Sequence, residues 1–241
     1  MADASDRGEL LTALTTEHFT LQGARSQTMS ESSARAALYI GAVSSTLVAL
    51  GFLGQISPGG DTFNTFALTV LPTLYLLGGF TFVRLVECGA EDFRYGLAIN
   101  RIRGYYKQLA GDRANLFLLS GHDDGLGVFA NVAVPVEGRT QYFTFGSVVA
   151  VINSVVGGSA VAIALGAFVD ASLGVAAGAG GAVAIVSVIV LLRVANRLLD
   201  ARTGGVEALF PSPSAGGVAR AVGVGKGLDA DDPPIAEGQE R

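Results

Sequence analysis

Residues 36–60 read AALYIGAVSSTLVALGFLGQISPGG, with Arg35 immediately before them and Asp61 immediately after. No Asp, Glu, Lys or Arg interrupts the run, and the same holds for residues 62–83, 140–169 and 171–192. Even the shortest of these runs reaches about 33 Å as a helix, against a bilayer hydrocarbon core of about 30 Å. Buried helices of water-soluble proteins rarely carry apolar stretches of that length. Barrel strands would alternate apolar and polar residues, and Leu47-Val48-Ala49-Leu50 and residues 185–192 do not. Within lipid a segment must satisfy its own backbone hydrogen bonds, so each run is expected to be a helix.

Charge orients the four helices. The chain is 50% hydrophobic and 15% charged, with mean hydropathy +0.47; a typical soluble domain is roughly 25% charged. All 16 Lys and Arg residues fall in three places. Arg7, Arg25 and Arg35 precede the first run. Arg84, Arg94, Arg101, Arg103, Lys107, Arg113 and Arg139 lie between the second and third, and Arg193, Arg197, Arg202, Arg220, Lys226 and Arg241 follow the fourth. The two short turns inside the pairs carry only Asp61 and Asp170. That is the positive-inside pattern of a four-pass protein with both termini in the cytoplasm.

The expected fold is therefore an all-α polytopic membrane protein with four transmembrane helices in two hairpins, residues 36–83 and 140–192. Residues 1–35 should form a cytoplasmic N-terminal amphipathic helix. Residues 84–139 should form a cytoplasmic helix and loop, and residues 193–241 a helix end with a disordered tail. The first thirty-five residues are polar and include Asp3, Asp6, Glu9, Glu17 and Glu31, so the first span is expected to act as an uncleaved anchor. Cys88 is the sole cysteine, which excludes a disulfide within the chain and a zinc cluster built on thiolates.

Finer signals divide these regions. Leu10, Leu14, His18 and Leu21 share a face over residues 6–22, after which Gly23 and the Ser-rich residues 26–33 predict a break. Ser30, Ser32 and Ser33 suit the cap of a new helix starting near Ala34. Pro72 should kink the second span. Beyond Arg84 an amphipathic helix is expected to pack on the N-terminal helix, with Glu91 and Arg94 spaced to pair. Residues 111–138 read as loops with one β-prone piece at 128–136. The third span is placed at 144–168 and the fourth at 173–192. From Thr203 onward, Gly, Pro and Asp predict disorder. Residues 92–96 and 200–204 both follow the pattern Asp-x-Arg-x-Gly, so a duplicated hairpin is one reading of the two membrane exits.

Chemistry-bearing residues are few. Gly158, Ala162 and Gly166 stand four apart in the third span, and Gly174, Gly178 and Ala182 do so in the fourth. Such faces let helix backbones approach closely, within one chain or between neighbours. No ionisable side chain falls inside the spans, which disfavours a proton- or ion-coupled transporter. Asn153 is the candidate pore-lining side chain, although a lone Asn more often bonds to a neighbouring helix. His122-Asp123-Asp124 offers acid–base or metal-ligating groups, or an ordinary acidic turn between Gly121 and Gly125. No nucleophile elbow, phosphate-binding loop or zinc-protease motif is present. With a net charge of −5 and no Trp, nucleic-acid binding is disfavoured. No catalytic residue, cofactor site or metal site is expected.

An N-terminal helix, a tight membrane hairpin and then Arg94-Tyr95-Gly96-Leu97-Ala98-Ile99-Asn100-Arg101-Ile102-Arg103-Gly104-Tyr105-Tyr106 form a recognisable arrangement. Over the first 110 residues it resembles the bacterial SLATT-type membrane effectors. The resemblance implies pore formation in nucleotide-triggered defence, and it transfers no functional residue. The second hairpin departs from the usual two-span pattern. The expectation is a non-enzymatic protein of a bacterial inner (plasma) membrane, an Ala-, Gly- and Val-rich composition suggesting the source. Its partners would be the lipid bilayer and copies of itself in an oligomeric pore or channel. The alternative is a scaffold that binds a cytoplasmic protein.

Overall fold

The computed structural model describes residues 4–57, 59–132 and 145–213. Among the described residues five α-helices carry the fold: α1 (Ala4–Ile56), α2 (Asp61–Ala110), α3 (Gly125–Asn131), α4 (Phe145–Val169) and α5 (Leu173–Thr203). A 3-10 turn, Gly111–Leu116, follows α2. There is no strand among the described residues. Helices α1, α2, α4 and α5 are each long and apolar enough to cross a membrane.

Contacts between named residues give the register. Arg25 meets Asp92, Glu31 meets Arg84, and Tyr39 reaches the level of Gly78, so α1 and α2 run antiparallel. Tyr75 and Gly78 face Gly157 and Asn153, which sets α4 antiparallel to α2. Ser154 meets Ser187 and Gly158 meets Gly180, which sets α5 antiparallel to α4. The core lies along the α2–α4 line and includes Tyr39, Val43, Leu71, Leu74, Phe82 and Val149.

The expected break in α1 is absent. One helix of 53 residues runs from Ala4 to Ile56, straight through Gly23 and the serine-rich stretch. A helical Gly costs about 1 kcal/mol relative to Ala, a local preference that packing readily overrides. Here Thr28 and Ser32 are buried, Arg25 pairs with Asp92, and Glu31 pairs with Arg84. Ser32 is an interior residue of the helix rather than a cap. Upstream, the hydroxyls of Thr12, Thr15, Thr16 and Thr20 donate to carbonyls four residues back, within the helix itself.

Two helices of 53 and 50 residues reach about 80 and 75 Å, far beyond an apolar layer of about 30 Å. Their polar halves pair into a stalk. Pro72 sits inside α2 on an exposed face, and the helix runs through it. Asp170, at φ 50, turns the chain between α4 and α5, a conformation Asp tolerates better than most residues.

The β-prone reading of 128–136 is overturned over 128–131, which belong to α3. The Asp124 carboxylate caps that helix by accepting from the Gly127 N–H at 2.8 Å, and Val128 packs onto Gly96. Residues 133–144, including the rest of that piece and the start assigned to the third span, lie outside the described residues. Within the tail expected to be disordered from Thr203, residues 207–212 are docked against the stalk; residues 214–241 lie outside the description.

Where α1, α2 and α4 cross, there is no room for a side chain on α2. A Cβ on Gly78 would stand 2.1 Å from Asn153 Oδ1 and 2.7 Å from Tyr39 Oη. We expect Gly78→Val to cost about 1–3 kcal/mol through overpacking, read as lowered thermal stability in detergent. Thr73→Val, on an exposed face, should leave that stability within about 0.5 kcal/mol of the wild type.

Candidate functional site

Three clusters of polar side chains lie on the bundle. The first is inside the apolar layer. Tyr39 Oη donates to Asn153 Oδ1 at 3.0 Å, joining α1 to α4. One residue on, Ser154 Oγ bonds to the Ala150 carbonyl at 2.8 Å and to Ser187 Oγ at 3.1 Å. Ser187 Oγ lies 2.9 Å from Tyr75 Oη, which brings in α5 and α2. Burying an unpaired polar group costs about 1–3 kcal/mol in proteins, so adjacent Asn153 and Ser154 tie four helices by satisfying one another's partners. Asn153 is 1% exposed and its carbonyl oxygen is taken by Tyr39.

The second cluster is a collar of charge where the stalk begins. Arg84 is held in a fork to Glu31, at 2.9 and 3.0 Å, and reaches Glu91 at 3.0 Å. Arg35 bonds to Glu31 at 2.8 Å, and Arg202 of α5 bonds to Glu87 at 2.6 Å. Hydrogen bonds from Arg84, then from Arg35, bring the Glu31 carboxyl down to about 2. A folded value below the unfolded one, about 4.3, means the pairing stabilises the fold above that value and is lost as pH falls toward 2. Glu31→Gln should therefore unfold at a lower temperature than the wild type at pH 7. The gap should close as the pH is taken from about 4.3 to 2, followed by thermal denaturation in detergent.

The third cluster is the most elaborate. Residues 207–212, an extended strap after α5, lie along α2 and the loop before α3. Asp123 is 1% exposed and accepts from Arg101 Nε at 2.5 Å and from the N–H groups of Leu209 (3.1 Å) and Phe210 (2.7 Å). Its own N–H donates to the Phe210 carbonyl at 3.2 Å, which His122 Nδ1 also approaches at 3.2 Å. Asp124 accepts from the Ser212 N–H at 2.5 Å and from its hydroxyl at 2.7 Å. Arg101 also donates to the Glu207 carbonyl. The Phe210 ring fills the space left by Gly104, where a Cβ would come within 2.5 Å of it.

A polar knot stands behind this face. Asn100 donates to the His122 carbonyl at 2.9 Å, and its own carbonyl oxygen accepts from Arg103 and Asn131, both at 2.8 Å. Burial pushes the Asp123 carboxyl up, but the Phe210 N–H, Arg101 and the Leu209 N–H together outweigh it and hold the group below the usual range. Asp124 behaves likewise: burial raises it, and Ser212 and the Gly127 N–H more than reverse that. Both are thus anionic at neutral pH, and the strap's anchorage is lost only in strong acid. Asp123→Asn should weaken strap docking by about 1.5–3 kcal/mol, the worth of hydrogen bonds to a charged group. Amide hydrogen exchange at Leu209 and Phe210 would report it.

The remaining candidates are dispersed. No group of three or more His, Cys, Asp or Glu able to hold a metal is found among the described residues. His18 lies on α1 against Tyr106 and bonds to Gln22, away from the strap. Cys88 is buried. Gly158 packs on the Gly180 carbonyl and the Ala184 methyl, and Ala162 packs against Gly180. Around Gly166, Gly174 and Gly178 there is nothing within 4 Å of an added Cβ, and Ala182 is exposed. The small-residue contact within the chain is thus made through Gly180 and Ala184, one helical face over from the 174–178–182 series. The strap site had a partial sequence signal in His122-Asp123-Asp124; its ligand, the chain's own residues 207–212, had none. Comparison with family models, curated proteins and solved structures returns no match to this chain.

Proposed function

We propose that the chain is a multi-pass protein of a bacterial plasma membrane, with both termini cytoplasmic, that assembles with copies of itself into a pore or channel-like structure. The observation that carries this reading is the unfilled face of α5. An added Cβ at Gly174, Gly178 or Gly181 meets nothing within 4 Å, and Ala182 beside them is exposed. Bare backbone on a lipid-facing helix is the surface on which a second helix packs closely, since lipid offers no hydrophobic drive. The one-sided Lys and Arg distribution supports the orientation.

Hydroxyl groups supply a wall. Thr62, Thr65, Thr69 and Thr73 form an exposed stripe on α2, and Ser44 and Ser45 are exposed on α1. Pores are built from hydroxyls, backbone and apolar constrictions without ionisable groups. In this reading Asn153 works inside each copy, tying helices together, and the outward hydroxyl faces meet the conducting path. The resemblance of the first 110 residues to SLATT-type effectors supports the same function.

Purified protein reconstituted in liposomes tests the proposal. Ion flux should accompany a native mass of several copies. Gly178→Leu should reduce both to the monomer and background level while leaving the monomer's thermal stability unchanged. Gly158→Leu should instead unfold the chain, because its Cβ would lie 2.4 Å from the Gly180 carbonyl. A monomer in sealed vesicles would sink the pore reading.

One observation favours the alternative, a scaffold that recruits a cytoplasmic protein. Beyond the end of α2, Leu116 is 80% and Leu118 95% exposed, an apolar stalk tip that water alone covers poorly. A scaffold would leave vesicles sealed and lose its partner on Leu116→Ser with Leu118→Ser.

A further inference from the structure

The strap contact has the construction of a peptide-recognition site. Two consecutive backbone N–H groups, of Leu209 and Phe210, are taken by one buried carboxylate, and a third, of Ser212, is taken by the next residue's carboxylate. Two strap carbonyls, of Glu207 and Phe210, face Arg101, His122 and the Asp123 N–H. The Phe210 ring enters a slot that exists because Gly104 has no side chain. Main-chain capture together with one aromatic pocket is the general mode by which proteins hold extended peptides.

The strap hangs from a glycine pair. Gly204 closes α5 and Gly205 sits at φ 90, a backbone region that glycine enters without strain. Ser187 stands level with Tyr75, which puts the end of α5 at Arg202 near the level of Ala90, and Phe210 lies over Gly104, so the strap climbs about 21 Å of α2. The eight residues from Thr203 to Phe210 would supply about 26 Å in extended form. Docking of the strap ties the end of α5 to the stalk.

We propose that the face formed by Arg101, Gly104, Gly121, His122, Asp123 and Asp124 is a peptide-binding groove whose ligand is an extended Leu-Phe-Pro-Ser segment, held in cis by the chain's own strap and exchangeable with the strap of a second copy. The inference rests on the assembly proposed above. A bilayer holds every groove and every strap at the same height. With about 26 Å of chain for a climb of about 21 Å, a freed strap can move sideways by about 15 Å, more than the 8–10 Å that separates packed helices, and so reaches towards the groove of a neighbour packed beside it.

Two differently tagged full-length chains, Cys88→Ala with Asp124→Cys and Cys88→Ala with Ser212→Cys, test the exchange when co-reconstituted and mildly oxidised. A covalent hetero-dimer bearing both tags is expected. If none forms while one chain carrying all three substitutions closes its own disulfide, exchange is overturned. If that chain does not close either, the groove itself is overturned. A labelled peptide of residues 206–213 provides a second measurement. It should bind the full-length Phe210→Ala chain at least about ten-fold more tightly than the wild type, whose tethered strap competes at high effective concentration. Equal binding, or none, overturns the groove. Native mass of the wild type separates the two proposals: an oligomer without hetero-dimers defeats exchange alone, and a monomer defeats the assembly reading together with the second-copy source.

Discussion

Where α4 passes α2 and α5, the available space is smaller than one methyl group. Gly78 faces Asn153, Gly157 faces the Tyr75 ring, and Gly158 and Gly180 face each other's carbonyls. In an apolar layer the usual drive for helix association is missing, so close van der Waals approach and satisfied polar groups must supply it. The glycines allow the approach, and the approach brings Asn153 to Tyr39 and Ser154 to Ser187. A larger residue at any of these crossings would push apart the hydrogen bonds as well as the backbones. The polar layer and the glycines are one device seen from two sides.

Outside that layer the adhesive changes. The stalk is joined by Arg25 to Asp92, Arg84 to Glu31, and a polar knot around Asn100, while α5 is held by Arg202 and by the strap. The ion pairs among them are half-exposed contacts, each worth less than burial of a core side chain, and they act as a series along the seam. The strap is the exception. It uses two carboxylates, one of them wholly enclosed, to hold a segment, Glu-Ala-Leu-Phe-Pro-Ser, that is itself neither helix nor strand.

Much of the architecture was legible in the sequence because it follows from solvent. Long uncharged runs announce helices of membrane-crossing length, and turn residues near Gly59 and Asp170 mark their ends. What the sequence hid was set by contacts distant along the chain. Gly23 and the serines near residue 30 argue locally for a break, and only the facing side chains of α2 make the helix continue. Val128 and Phe129 favour a strand on their own, and the Asp124 cap with the Gly96 surface makes them helical. The fate of residues 207–212 depends on carboxylates more than eighty residues away. Periodicity and spacing report nothing at such range. The close contact of α4 with α5 was visible as small residues every fourth position, while the choice of Gly180 over Gly178 depended on the rotation of α5, which that spacing leaves open.

The continuity of α1 makes it a shaft. A jointed chain would absorb a twist applied at its outer end, in the loop between two helices. Here the hydroxyl contact of Thr15 with Tyr106 and the hydrogen bond of Tyr39 to Asn153 are made by one uninterrupted helix. Turning or sliding the outer end against α2 therefore meets no joint before the inner end, at the most crowded crossing in the bundle. An event at the stalk would arrive there as mechanical torque, with no intermediate domain needed to carry it.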